Sequence, residues 1–116
     1  MVTDSSEFDK RYGMLVSILV ALDDNFVTNE EYELTKDWDI NSENGFKRYL
    51  DTILMPSFSR YTCEKRDEIL KSIKYAINGG DECLNRAFKE IEFVFHYDIK
   101  DKRLFLKKLE EEFSKL

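Results

Sequence analysis

Two thiols, one imidazole and 24 carboxylates are the side chains of this chain best suited to chemistry. Cys63 and Cys83 lie twenty residues apart, and neither belongs to a CxxC pair. The single histidine, His96, stands between Phe95 and Tyr97. A structural zinc site needs four ligands at tight spacing, which this set does not provide. Cys63 with His96 is a conceivable nucleophile–base couple, but no local motif accompanies it. The plainer reading is two reduced structural thiols, as the cytosol favours, and a half-buried histidine near a helix end. No glycine-rich phosphate loop and no nucleophile elbow occurs. The stretch from Asp23 to Glu31 superficially resembles a calcium loop. With Glu31 at the twelfth position, however, Val20 and Leu22 occupy the first and third ligand positions and Asn25 replaces the glycine. No catalytic residue, metal ligand or cofactor is expected, and the chain reads as a non-enzyme.

The carboxylates are informative by their distribution. The chain has a net charge of −6, yet residues 23–43 alone carry eight acids and one base. Residues 44–116 hold thirteen acids and fifteen bases, a balance of +2. The acidic segment also contains the only tryptophan, Trp38, close to Tyr32 and Phe26. Concentrated acid with aromatic anchors suits a surface that docks on a basic partner. The candidate partner-binding residues are Asp23, Asp24, Glu30, Glu31, Tyr32, Asp37, Trp38 and Asp39. The alternative for this strip is a solvated face that only keeps the protein soluble. A sequence pI of 4.9 argues against direct contact with bare nucleic acid, whose phosphates need a basic footprint.

These residues must be positioned by helices. Four glycines and one proline leave little material for hairpins, and apolar residues recur at helical spacing. Phe8, Tyr12, Leu15, Leu19 and Leu22 share one face of a first helix starting near Asp4. Val16, Ile18 and Val20 widen that face, marking the helix as central to its bundle. Thr28 and Glu31 form a capping box for a second helix from about Asn29 to Trp38, with Leu34 and Trp38 on one face. A third, with Phe46, Tyr49, Leu50, Ile53 and Leu54 inward, is expected to stop before Pro56. A fourth runs from its cap Thr62 to Ile77, ended by Asn78-Gly79-Gly80. A fifth begins near Asp81 and carries Leu84, Ala87, Phe88, Ile91 and Phe95 on one stripe. A sixth begins near Asp98, with Leu106, Leu109, Phe113 and Leu116 inward. Residues 90–99 also alternate as a strand would, but helix is the preferred reading. The expected fold is all-α, an antiparallel bundle of five to six helices in a single domain spanning residues 1–116. Leu15, Leu19, Leu50, Ile73 and Ile91 are expected to be buried.

The longest apolar run, Met14 to Leu22, is half the length a membrane span needs. The acids before it, Asp4, Glu7 and Asp9, do not suit a signal peptide. The expected location is the cytoplasm, with no membrane association. The apolar helix, acidic turn and T-x-E-E start over residues 14–31 are similar to the helix junction of TerB-like domains, without the glycine that usually follows the aspartate there. Taken together, small size, acidity and a helical chain rich in Lys, Asn, Asp and Ile resemble immunity proteins of bacterial toxin systems, of the colicin or contact-dependent growth inhibition type. The resemblance is one of type, so no family residues are carried over. It implies a protein that binds and neutralises a cognate toxin, a nuclease, its acidic segment standing in for nucleic-acid phosphates. Two other readings remain: a phage-encoded DNA mimic that inhibits a nuclease, and a helical adaptor or regulator with an apolar groove. The basic residues Lys65, Arg66, Lys71 and Lys74 of the fourth helix would suit the adaptor.

Overall fold

The computed structural model describes residues 3–23, 25, 27–79, 81–94 and 98–115. Helix α1 spans Thr3–Leu19 and tightens into a 3-10 turn at Val20–Leu22. It is followed by α2 (Asn29–Thr35), α3 (Glu43–Tyr49), a π-helical turn (Leu50–Leu54), α4 (Met55–Ser59), α5 (Cys63–Ile77), α6 (Asp81–Glu90) and α7 (Lys102–Phe113). With α3, the π turn and α4 counted as one rod, the described residues form six helical rods. The fold is an all-α bundle. The described residues contain no strand beyond a single antiparallel bridge between Asp23 and Phe93.

Helix α1 is central, as its broad apolar surface requires. It packs on both α5 and α6, and α5 in turn packs on α7. Leu15, Ile18, Leu19 and Leu22 are fully buried, and Leu50, Ile73 and Ile91 join the same core. Ring contacts lock the distal helices. Phe58 of α4 stacks on Phe113 of α7 with centroids 4.0 Å apart, and Phe46 of α3 meets Phe105 of α7 edge-on at 5.7 Å. Between α1 and α5, the buried Arg11 guanidinium donates to the Glu68 carboxylate at 3.0 Å and to the Ser72 hydroxyl at 3.2 Å. Its Nε pairs with Glu7. Lys10 approaches Glu68 at 3.3 Å. Arg11 and Lys10 together hold the Glu68 carboxyl below its ordinary range.

Several helix boundaries differ from the expectation, and the ends of α2 and α6 and the start of α7 do so because a tertiary hydrogen bond outcompetes the helix. Helical backbone is already present at Thr3, so α1 begins close to Asp4 as expected. Helix α2 ends at Thr35 rather than Trp38. The Thr35 carbonyl accepts from the Trp38 amide at 3.0 Å and from the Tyr49 hydroxyl at 2.8 Å, and is thereby spent on a turn. Pro56 does not stop the third helix. The chain widens into the π turn just before it and continues helically to Ser59. The wider turn relieves the clash of a proline ring with the preceding turn, and Pro56 itself falls in the first turn of α4, where its missing N–H costs least.

Helix α6 stops at Glu90. The Glu92 amide is taken by the Asp23 carboxylate at 3.2 Å and the Val94 amide by the Leu22 carbonyl at 2.9 Å. Residues 91–94 are therefore not helical, and their partner is the chain leaving α1. Helix α7 starts at Lys102, capped by Asp101, whose carboxylate accepts from the Leu104 amide at 3.0 Å. The Asn41 side chain holds the segment before it out of the helix, donating to the Asp98 carbonyl and accepting from the Lys100 amide. Phe95, His96, Tyr97, Gly80 and Leu116 lie outside the described residues.

Candidate functional site

The acidic segment is built around α2. Thr28 Oγ1 accepts from the Glu31 amide at 3.1 Å, and Glu31 Oε1 accepts from the Thr28 amide at 3.0 Å, completing the capping box. Glu30 and Glu31 both sit in the first turn, where the helix dipole favours negative charge. A seven-residue helix has little stability of its own, so its inner face must be anchored. Thr35 is completely buried, its hydroxyl donating to the Glu31 carbonyl at 2.8 Å. Tyr32 packs against the core. The inward residues are therefore Tyr32 and Thr35, with Trp38 packed on the core from the turn beyond, while Leu34 does not join them.

Leu34 points outward. It is 58 % exposed, and it and Leu104, at 47 %, are the exposed large hydrophobic residues among those described. Glu30, Glu33 and Leu34 share one helical face by spacing, and Asp37 stands in the turn that follows; all are exposed. Lys36 is the local counter-charge, 2.9 Å from Glu33. The Glu33 carboxylate, aided by Asp37, holds the Lys36 ammonium above its ordinary range.

The other candidates separate into different roles. Asp23 is buried, at 6 % exposure, and is removed from the surface set. Its Oδ1 accepts from the Asn25 backbone and side chain, and its Oδ2 from the Glu92 amide. Asp24, and Phe26 beside it, lie outside the described residues. The Glu31 carboxylate is committed to its cap. Asp39 is half-buried, and its carboxylate accepts from the Asn41 amide at 2.9 Å. Trp38 is half-buried rather than peripheral. Its ring meets the buried Tyr49 edge-on at 5.3 Å, and the Arg48 guanidinium lies 5.7 Å from its centroid. Burial raises the Tyr49 phenol above its ordinary range. The structure thus brings together Glu30, Glu33, Leu34 and Asp37, with Trp38 at the margin. Leu34 and Glu33 are not among the candidate residues read from the sequence. Exposure of an apolar side chain on a helix with two polar neighbours is decided by which face docks, and a seven-residue helix has too few apolar positions to reveal that.

Elsewhere, the basic side chains of α5 are largely engaged. Lys65 lies over the Tyr61 ring, Lys71 approaches Glu68 at 4.0 Å, and Lys74 approaches Glu110 at 3.7 Å. Arg66 donates to the exposed Cys63 sulfur at 3.3 Å. Cys83 is a buried free thiol, and burial raises its pKa, which suppresses thiolate chemistry. An open groove of about 730 Å³ runs between α6 and α7, floored by Phe88, Ile91, Phe93 and Ile99 and edged by Lys89 and Lys102. Among the described residues no helix is long and apolar enough to cross a membrane, and no cluster of His, Cys, Asp and Glu could hold a metal ion. No family model, curated protein or solved structure matches this chain.

Proposed function

We propose that this chain is a binding protein of the immunity type, which docks its acidic α2 face on a cationic partner, a nuclease toxin, and so neutralises it. The observation that carries this reading is Leu34, more than half exposed and flanked by Glu30, Glu33 and Asp37. An apolar side chain left in water within a ring of like charge offers a partner both an anchor and a steering field. The neutralising step needs no chemistry from this chain. A carboxylate surface laid over a cationic active site, or beside it, excludes the phosphodiester by charge and bulk.

The test begins with affinity capture of a cationic partner, followed by association and dissociation kinetics at two salt concentrations. Reversing Glu30 and Asp37 to lysine should slow association and flatten its salt dependence. Leu34→Ala should speed dissociation, at a cost of about 1–2 kcal/mol for one partly exposed leucine. If both variants bind the captured partner as the unaltered chain does, the α2 face is not the interface. The groove between α6 and α7 favours a second reading, an adaptor that receives a partner's apolar segment over Phe88 and Ile91. Retained binding by both α2 variants, together with loss of binding in the half-buried Ile99→Asp at unchanged helicity, would select it.

A further inference from the structure

The second exposed hydrophobic residue, Leu104, lies in surroundings of the opposite sign. It stands in the first turn of α7. Lys100 is four residues before it and Lys107 and Lys108 are three and four residues after it, with Asp101 the one acid at comparable spacing. Lys100 and Lys107 are exposed, and the Lys108 ammonium lies over the Phe46 ring at 5.2 Å. None of these three lysines enters an ion pair among the described residues, and neither do Glu30 and Asp37. The two faces are both tied to α3. Tyr49 bonds to the end of α2, and Phe46 packs on Phe105 of α7. Each face therefore presents one leucine beside charges that enter no ion pair among the described residues, Glu30 and Asp37 on one and Lys100 and Lys107 on the other, and the two are complementary in sign.

We propose that the chain self-associates, the acidic Leu34 face of one copy docking on the lysine-rimmed Leu104 face of a second. The net charge of −6 opposes this at long range. At physiological ionic strength charges are screened beyond about 8 Å, so surfaces in contact respond to the local patch. The leucines supply apolar contact and the charges set which face meets which. This goes beyond the toxin-binding reading. It assigns the same acidic face a resting occupant that a more strongly cationic partner displaces.

The test is molar mass by light scattering and sedimentation across a wide concentration range at physiological and high salt. Mass should rise with concentration at physiological salt and fall back at high salt. An acid-reversed variant (Glu30→Lys with Asp37→Lys) and a base-reversed variant (Lys100→Glu with Lys107→Glu) should each stay monomeric with unchanged helicity. An equimolar mixture of the two should associate, because each reversed face now finds its complement on the other chain. The reversals take the net charge from −6 to −2 and to −10. Both variants remain anionic, so general attraction cannot bring them together. Leu34→Ser and Leu104→Ser serve as charge-neutral variants and should each weaken self-association. A wild-type chain monomeric at every concentration, or a mixture of folded reversed variants that stays monomeric, overturns the proposal. The base-reversed variant keeps the acidic α2 face, so its capture of a cationic partner tests the toxin reading separately.

Discussion

The Asp23 carboxylate accepts the Glu92 backbone N–H at 3.2 Å, tying the end of α1 to the end of α6. The neighbouring Leu22 carbonyl accepts the Val94 amide at 2.9 Å. One side chain, 69 residues away in sequence, thereby decides where α6 stops. It holds the Glu92 amide, as the Leu22 carbonyl holds the Val94 amide, in place of the helical carbonyls that would otherwise take them.

Removing that pin should cost stability. Asp23→Ala strands a part-buried amide and should lower the unfolding free energy by about 1–3 kcal/mol. Asp23→Asn, which keeps one acceptor, should cost less. Urea titration gives the free energies, and hydrogen exchange at Glu92 and Val94 should accelerate first. Unchanged exchange at both amides would mean that Asp23 does not set the end of α6.

Gly45 gives a prediction whose sign is informative. A Cβ built there would lie 1.7 Å from the Asp39 carbonyl oxygen. Replacing a helical glycine by alanine usually gains up to about 1 kcal/mol. Here Gly45→Ala should instead destabilise by about 1–3 kcal/mol, because the obstacle is backbone and cannot swing aside. A thermal melt decides between the two signs.

Leu19 tests the central placement of α1. It is completely buried, and Leu19→Ala should cost about 2–5 kcal/mol through transfer and cavity effects. A variant melting with the unaltered protein would refute the packing described for α1.

Trp38 is tied to the buried Tyr49 ring, so Trp38→Ala should reduce stability by about 1–3 kcal/mol as well as affecting any interface. Chemical denaturation measures the first effect. Leu34 is the cleaner probe of binding, since its side chain is mostly solvated.

The acid limb of the stability profile should depend on Glu68. Arg11 and Lys10 hold its carboxyl below the ordinary value of 4.5. The folded state therefore keeps Glu68 ionised at a pH where the unfolded chain has begun to take up its proton. Its contribution is complete above the ordinary value and is lost as pH falls through the depressed one. Glu68→Gln should be less stable at neutral pH and show a shallower decline over that acid window. Denaturation midpoints from neutral pH downwards measure this, and parallel profiles for the two proteins would contradict it.

Local signals in the sequence were accurate where the determinant is itself local. The Thr28–Glu31 capping box, the Thr62 cap and the apolar stripe through Leu15 and Leu19 depend on neighbours three or four residues away, and all appear as expected. The ends of α2, α6 and α7 were misplaced because Tyr49, Asp23 and Asn41 reach them from elsewhere in the chain. The acidic face was legible as charge but not as geometry. Eight acids lie in one segment. Only the folded chain shows that Asp23 is internal, that Glu31 and Asp39 are bonded locally, and that Leu34 faces water.

The π turn at Leu50–Leu54 sets the angular phase of everything that follows it in the same rod. Each residue of an α-helix advances the side chain by about 100°, so the one residue that the wider turn accommodates rotates α4 relative to α3 by roughly that angle. Phe58 faces Phe113 at 4.0 Å because of this rotation. Deleting Thr52 would give a more regular helix and a worse protein. The rod would straighten into ordinary α geometry, Phe58 would turn away from α7, and Pro56 would meet a turn too narrow for its ring. Ordinary substitutions should be tolerated at the exposed Asp51 far better than any change in the number of residues here, so chain length rather than side-chain identity is what this turn fixes.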